Sequence, residues 1–197
     1  SARGLRLHQR TDPARLRALT GFMLLLPATP MLFQGQEFAA SAPFFYFADH
    51  GPELAAAVRE GRRDFLGQFP AMATAEMQAR LTDPASPELF QRCKLDWAEA
   101  ERHGHACALH RDLLRLRRED PVFAAQGRYG LDGAVLGPEA FLLRFFGEDG
   151  DDRLVLVNLG PDLERASLPE PLLAPPAGRA WQLLWSSESP DYDGGGT

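Results

Sequence analysis

Pro27-Ala28-Thr29-Pro30-Met31-Leu32-Phe33-Gln34-Gly35-Gln36-Glu37-Phe38 is the stretch on which the reading of the fold turns. A short apolar run, residues 31–33, is fixed in front by Pro30 and opens at Gly35 into polar residues. The pattern predicts a buried parallel strand whose C-terminal end points into a site. Upstream, Asp12-Pro13 marks a helix start, with Leu16, Leu19, Phe22, Met23 and Leu26 as the expected apolar face. Pro27 and Pro30 end that helix. Helix, buried strand and polar tip together form one unit of an α/β barrel, in which ligand-facing residues sit at strand C-termini.

Further along, residues 52–60 predict a helix with Leu54, Ala57 and Val58 on one face, ending at Gly61. Residues 70–104 read as a long excursion with short helices, in which Trp97 either lines a site or lies beneath it. Residues 105–118 carry a Leu109, Leu113, Leu116 stripe with basic final turns, which predicts a helix stopped by Pro121. Beyond Phe123 the period changes to two. Phe141, Leu143 and Phe145 alternate with Leu142, Arg144 and Phe146; residues 154–157 form another run; and Trp181, Leu183 and Trp185 share a face. Gly147-Glu148-Asp149-Gly150 and a Pro-rich loop over residues 169–176 separate them, which predicts short antiparallel strands of a sandwich. The expected class is α/β plus β. Residues 1–121 would be the C-terminal portion of a (β/α)8 TIM barrel, and residues 122–197 a small, truncated β-sandwich.

Composition narrows the function. The 197 residues are 45% hydrophobic with a net charge of −6, enough for one core or two small domains, and no basic stripe suits nucleic acid. The longest apolar run, residues 22–26, falls far short of the roughly 20 residues of a membrane span. Two cysteines suggest no disulfide framework, and no signal segment opens the chain, which points to a reducing cytoplasm. The chain starts at Ser1 without an initiator Met and stops in Asp193-Gly194-Gly195-Gly196-Thr197, which is loop chemistry. Both ends read as cuts in a longer protein.

Residues 30–41 resemble the last barrel strand of the α-amylase family of glycoside hydrolases. Asp49-His50, then Leu54, Val58, Gly61-Arg62-Arg63 and Phe65, narrow the likeness to the trehalohydrolase branch of that family, and to its C-terminal part. It continues through Lys94-Leu95-Asp96-Trp97 and Leu184-Trp185-Ser186-Ser187-Glu188. The resemblance implies an enzyme that cleaves the α-1,4 bond next to the terminal trehalose unit of maltooligosyl trehalose, a retaining mechanism, no cofactor, and a partner in the missing N-terminal part of the same protein. Alternatives are another α-amylase relative, such as a glycogen branching or debranching enzyme, or a non-catalytic carbohydrate-binding or assembly module.

A retaining glycosidase needs two carboxylates across the scissile bond. The resemblance places nucleophile and acid/base on earlier strands, and a third Asp in an Asn-His-Asp-Gln motif N-terminal to Ser1. No catalytic carboxylate is therefore expected in this chain. Glu37 reads instead as a carboxylate that binds neighbouring loops or an Arg. Gln34 and Gln36 suit hydroxyl recognition or tie down the strand end. In Pro43-Phe44-Phe45-Tyr46-Phe47, four consecutive rings do not make an ordinary strand. Phe44, Phe45 and Tyr46 either stack on sugar C–H faces or plug the barrel mouth. Asp49 and His50 are expected near the rim. Arg62 and Arg63 either donate to sugar hydroxyls or pair with Glu53, Glu60 or Asp64 on the surface. His103, Cys107 and His110 share a helical face at ligand-like spacing but lack a fourth ligand, so no metal is expected.

Overall fold

A computed structural model describes residues 4–79, 81–163 and 167–196. Arg3, at the head of the basic opening segment, lies outside them, as do Ser1 and Thr197 at the two expected cuts. In chain order the elements are α1 (Pro13–Leu25), α2 (Pro52–Gly67), α3 (Ala75–Ala79), α4 (Pro87–Cys93), α5 (Glu99–Arg102), α6 (Gly104–Glu119), α7 (Pro121–Ala124), β1 (Leu131–Gly137), β2 (Ala140–Phe145) and β3 (Arg153–Asn158). They fall into two compact units. One comprises residues 1–10 and 34–102, the other residues 11–33 and 103–197. This grouping differs from a division at 121/122, because α1 and α6 share one core with the sheet.

Helix α1 begins where the sequence predicts. Asp12 caps α1, its Oδ1 accepting from the Arg15 amide at 3.1 Å, and Pro13 occupies the first turn, where no amide partner is needed. The buried face differs from the expected one. Thr20, Gly21, Leu24 and Leu25 face inward, while Leu19 is 39% exposed. Apolar side chains ring this helix, so packing partners select the stripe and periodicity cannot. On α6, Leu109 and Leu113 are buried as the spacing predicts, joined by His110, whose Nδ1 lies 2.8 Å from the Ala106 carbonyl. Asp120 ends α6 and caps α7, accepting from the amides of Val122 and Phe123.

The sheet is antiparallel in the order β1-β2-β3. One face carries Phe145, Leu143 and Val155 against Leu24, Leu25, Leu109, Leu113, Val122 and Phe123. Phe123 and Phe145 meet edge to face at 5.2 Å, and Phe22 and Phe141 do the same. The other face is organised by Arg144. It is only 9% exposed and lies 2.7 Å from Asp152, donates to the carbonyls of Leu172 and Ala174, and sits between the rings of Phe146 and Trp181. A buried guanidinium needs this many partners to offset lost hydration.

Two expected strands do not form among the described residues. Residues 31–33 are irregular, with Met31 84% and Phe33 42% exposed, because no strand lies beside them to accept their amides. Residues 181–185 are likewise unpaired. Trp181 donates to the Leu173 carbonyl, and Trp185 packs on α1. The expected sandwich is thus a single sheet in these residues. Conversely, β1 escaped the sequence pattern, since Asp132, Gly133 and Gly137 interrupt it. The predicted turn at residues 147–150 forms, and Asp149 and Gly150 adopt left-handed φ there. Helix α2 runs past Gly61 to Gly67.

Arg117 of α6 closes the other end of α1. Its guanidinium donates to the carbonyls of Leu24, Leu26 and Ala28 and to Gln126 Oε1, at 2.6 to 2.7 Å. Carbonyls at a helix end lack intrahelical partners; of these three, Leu26 also accepts from the Ala28 amide at 2.8 Å. Arg117→Met is expected to cost about 2–3 kcal/mol in urea unfolding. Arg118→Met should change stability by less than about 0.5 kcal/mol, since Arg118 pairs with Glu119 at the surface.

A second joint is pH-sensitive. The Tyr192 hydroxyl donates to Asp112 at 3.0 Å and accepts from Trp185 Nε1 at 3.2 Å. Burial, followed by the bond to Asp112, pushes the phenol pKa above its usual value. A folded pKa raised above the unfolded one, about 10, gives stability that is complete below pH 10 and lost as pH rises through the folded value. Wild-type stability should therefore fall more steeply above about pH 10 than that of Tyr192→Phe, as followed by tryptophan fluorescence.

Candidate functional site

All ten residues expected to contact a ligand lie in the smaller unit, on the turn after residue 33, the aromatic loop and α2. The turn over residues 34–39 is tight. Gly35 has a φ of +79°, and a Cβ there would come within 2.7 Å of Ala40 Cβ and 2.8 Å of Leu95 Cδ2. Gln34 is exposed and Gln36 and Glu37 are half-buried, while Phe38 turns inward and is 1% exposed. The residue that holds this turn is Arg6, which sequence reasoning passed over. It is 7% exposed, and its Nη1 and Nε donate to the carbonyls of Gln34 and Ala42, both at 2.7 Å. Burial pulls its pKa down, and the nearby carboxylates of Glu37 and Glu99 oppose that shift.

The aromatic loop is fixed through its backbone. Ser41 donates its amide to Glu99 Oε2 at 2.9 Å, Phe44 to the Gly4 carbonyl at 3.0 Å, and Phe45 to Cys93 Sγ at 3.2 Å. Glu99 is 5% exposed and Cys93 4%. These anchors were invisible in the sequence, because each pairs residues more than thirty positions apart. With the backbone pinned, Phe44 and Tyr46 remain largely exposed, at 37% and 41%, and Phe45 is half-buried under Arg92. Phe47 meets Phe90 edge to face at 5.1 Å and Phe44 at 6.1 Å.

Helix α2 brings Arg62 onto the loop, its Cζ 4.5 Å from the Tyr46 ring centroid. Neither Arg62 nor Arg63 pairs with Glu53, Glu60 or Asp64 among the described residues. The pair that does form is Arg59 with Asp83, at 2.7 Å. Ala48 donates to the Pro84 carbonyl, which ties the loop's far end to the same segment. Asp49 and His50 are both exposed just before α2. Trp97 is 67% exposed and leans on Phe38, with ring centroids 5.4 Å apart. Among the described residues no three His, Cys, Asp or Glu side chains converge as a metal site. No helix of the described residues is long and apolar enough to cross a membrane.

The arrangement presents exposed rings, amide side chains and arginines on a pinned backbone, which suits recognition of a polyhydroxylated ligand. Comparison with known proteins bears on this. A family model described as "Domain of unknown function (DUF3459)" matches residues 129–197. The chain is similar to several curated malto-oligosyltrehalose trehalohydrolases. That of Deinococcus radiodurans is 43% identical over 162 residues, covering 81% of this chain and 26% of the relative. That of Brevibacterium helvolum is 39% identical over 150 residues, covering 73% and 24%. That of Saccharolobus solfataricus is 32% identical over 117 residues, covering 59% and 18%. The chain thus spans about a quarter of the length of the first relatives it matches. The 1.4 Å crystal structure of a "Putative alpha Amylase from Salmonella typhimurium" matches with a TM-score of 0.64 at 31% identity, over 83% of this chain and 28% of that one.

The frame around the loop generates a test. Arg6→Lys keeps a cation but loses the planar fork that serves two carbonyls. The Phe44 amide should then lose about ten-fold or more of its hydrogen-exchange protection, while amides of β2 keep theirs. Unchanged exchange at Phe44 would remove Arg6 from its role.

Proposed function

We propose that this chain is part of a malto-oligosyltrehalose trehalohydrolase, a retaining glycosidase that releases trehalose from maltooligosyl trehalose. The observation that carries the reading is the similarity over most of the chain to relatives that all bear this one activity in their names. Residues 1–121 are read as the C-terminal portion of the catalytic barrel and residues 122–197 as an appended β domain. The family model that begins at residue 129 supports the second part, and the helices around a small antiparallel sheet are consistent with the C-terminal part of an α-amylase-type fold.

In this reading the nucleophile and the general acid/base come from other segments of the same polypeptide, and this chain by itself is inactive. Its contribution is substrate positioning at the rim. Gln34 and Gln36 offer neutral donors and acceptors to hydroxyls, with Glu37 steadying the turn beneath them. Phe44, Phe45 and Tyr46 offer ring faces to sugar C–H groups; Asp49, His50, Arg62 and Arg63 offer polar contacts. A reducing cytoplasm is the compartment this reading assigns, and Cys93 and Cys107 form no disulfide among the described residues.

The likeness to an α-amylase structure keeps a broader α-glucan hydrolase as the second reading. Incubating the full protein with maltooligosyl trehalose separates them. Trehalose and a shortened maltooligosaccharide are the expected products; cleavage of unmodified glucans without trehalose release would overturn the assignment. Tyr46→Ala in the full protein should raise KM about ten-fold with a smaller effect on kcat, the loss expected of one stacking contact.

A further inference from the structure

Helix α2 presents three arginines to one cavity. Arg59, Arg62 and Arg63, one turn apart at i, i+3 and i+4, line a recess of about 120 Å³ closed by Leu81, Thr82, Asp83 and Pro84. The charges there do not balance. Asp83 pairs with Arg59 at 2.7 Å and is held in its ionised form first by the Ala85 amide and then by Arg59, so its pKa lies below the usual carboxylate range. Among the described residues no second carboxylate lines the recess. Arg62 lies over the Tyr46 ring, its Cζ 4.5 Å from the centroid, and makes no ion pair among the described residues. Arg63 makes no ion pair among the described residues. Three guanidinium groups against one carboxylate leave two positive charges facing a concave, part-apolar wall.

We propose that this recess is a binding site for a tetrahedral oxyanion, phosphate or sulfate, free or carried as the phosphate ester of a sugar. Sugar hydroxyls alone do not neutralise two clustered cations, whereas an oxyanion does, and the guanidinium fork matches its geometry with paired N–H donors. Arg62 and Arg63 are the principal ligands. Arg59 is oriented by Asp83 at the rim, where that carboxylate opposes the anion's charge, and the Thr82 hydroxyl adds a neutral donor. The recess size admits a tetrahedral anion with water and leaves the rest of an ester in solvent. Because Arg62 also stacks on Tyr46, occupancy would fix the aromatic loop.

The site does not depend on the trehalohydrolase reading, and its test uses no glucan. Inorganic phosphate is titrated calorimetrically into the full protein, with ionic strength held constant by chloride. Saturable binding in the millimolar range or tighter is expected, weakened ten-fold or more by Arg63→Gln and by Arg62→Gln. A parallel titration with glucose 6-phosphate distinguishes the sources. Equal affinities indicate the free anion; tighter binding of the ester indicates a sugar phosphate. Both support the site. Heats for phosphate and the ester no larger than those of chloride overturn it. So does unchanged affinity in Arg63→Gln, whose exposed side chain leaves the fold unaffected.

Discussion

The end of α1 is the constraint on which the larger unit rests. A helix leaves its last carbonyls without partners, and here the chain continues through Pro27, which cannot donate a backbone amide. Arg117 resolves this by gathering the carbonyls of Leu24, Leu26 and Ala28 under one guanidinium. The same group accepts orientation from Gln126, in the turn after α7. Gly127 follows with a φ of +74°, its α-carbon against Pro27. One side chain on α6 thereby fixes where α1 ends, how the next segment leaves it, and where the chain stands before entering β1.

A second tie brings the C-terminal segment back to the same helices. Gly21 exists because of Trp185, since a Cβ would lie 2.9 Å from the indole. One helical turn earlier, Arg17 donates to the Ser187 carbonyl and grips both Glu188 oxygens. Asp112 on α6 then receives the Tyr192 hydroxyl. These contacts give physical content to the Leu184-Trp185-Ser186-Ser187-Glu188 motif. It is a latch, with a ring for the glycine gap and a carboxylate for the neighbouring arginine. The bidentate Arg17 contact is partly buried, the geometry in which such pairs contribute more than surface ones.

What the sequence revealed follows from how local each signal is. Helices α1 and α6, strands β2 and β3 and the turn at residues 147–150 carry capping, periodic or turn chemistry within a few residues, and all were legible. The buried stripe of α1 was not, because Leu16 to Leu26 offers apolar residues on every side. Residues 31–33 misled for a related reason. Three apolar residues before a glycine look like a buried strand, but pairing is a property of neighbours, and none of the described strands lies there. In the smaller unit, the exposed polar and aromatic residues of the candidate site were legible as residue types in the sequence. Their supports, Arg6, Glu99 and Cys93, were not, since no local pattern marks which of 21 basic or 27 acidic residues will be buried.

Those supports also explain a division of labour in the smaller unit. Buried Arg6 and Glu99 hold backbone atoms, the carbonyls of Gln34 and Ala42 and the amide of Ser41. A loop of consecutive rings would ordinarily collapse to bury them. Here the backbone is pinned, and Phe44 and Tyr46 stay partly exposed although Phe44 meets Phe47 and Arg62 lies over Tyr46, while Phe47 also meets Phe90. The cost is two ionisable groups withdrawn from water, which cores tolerate only with dense partners. Glu37 lies near enough to Arg6 to favour its charged form. Glycosidic bond cleavage by a retaining mechanism needs two carboxylates across the bond. On the proposed reading the smaller unit contributes ligand positioning, and the bond-breaking carboxylates come from other segments of the polypeptide.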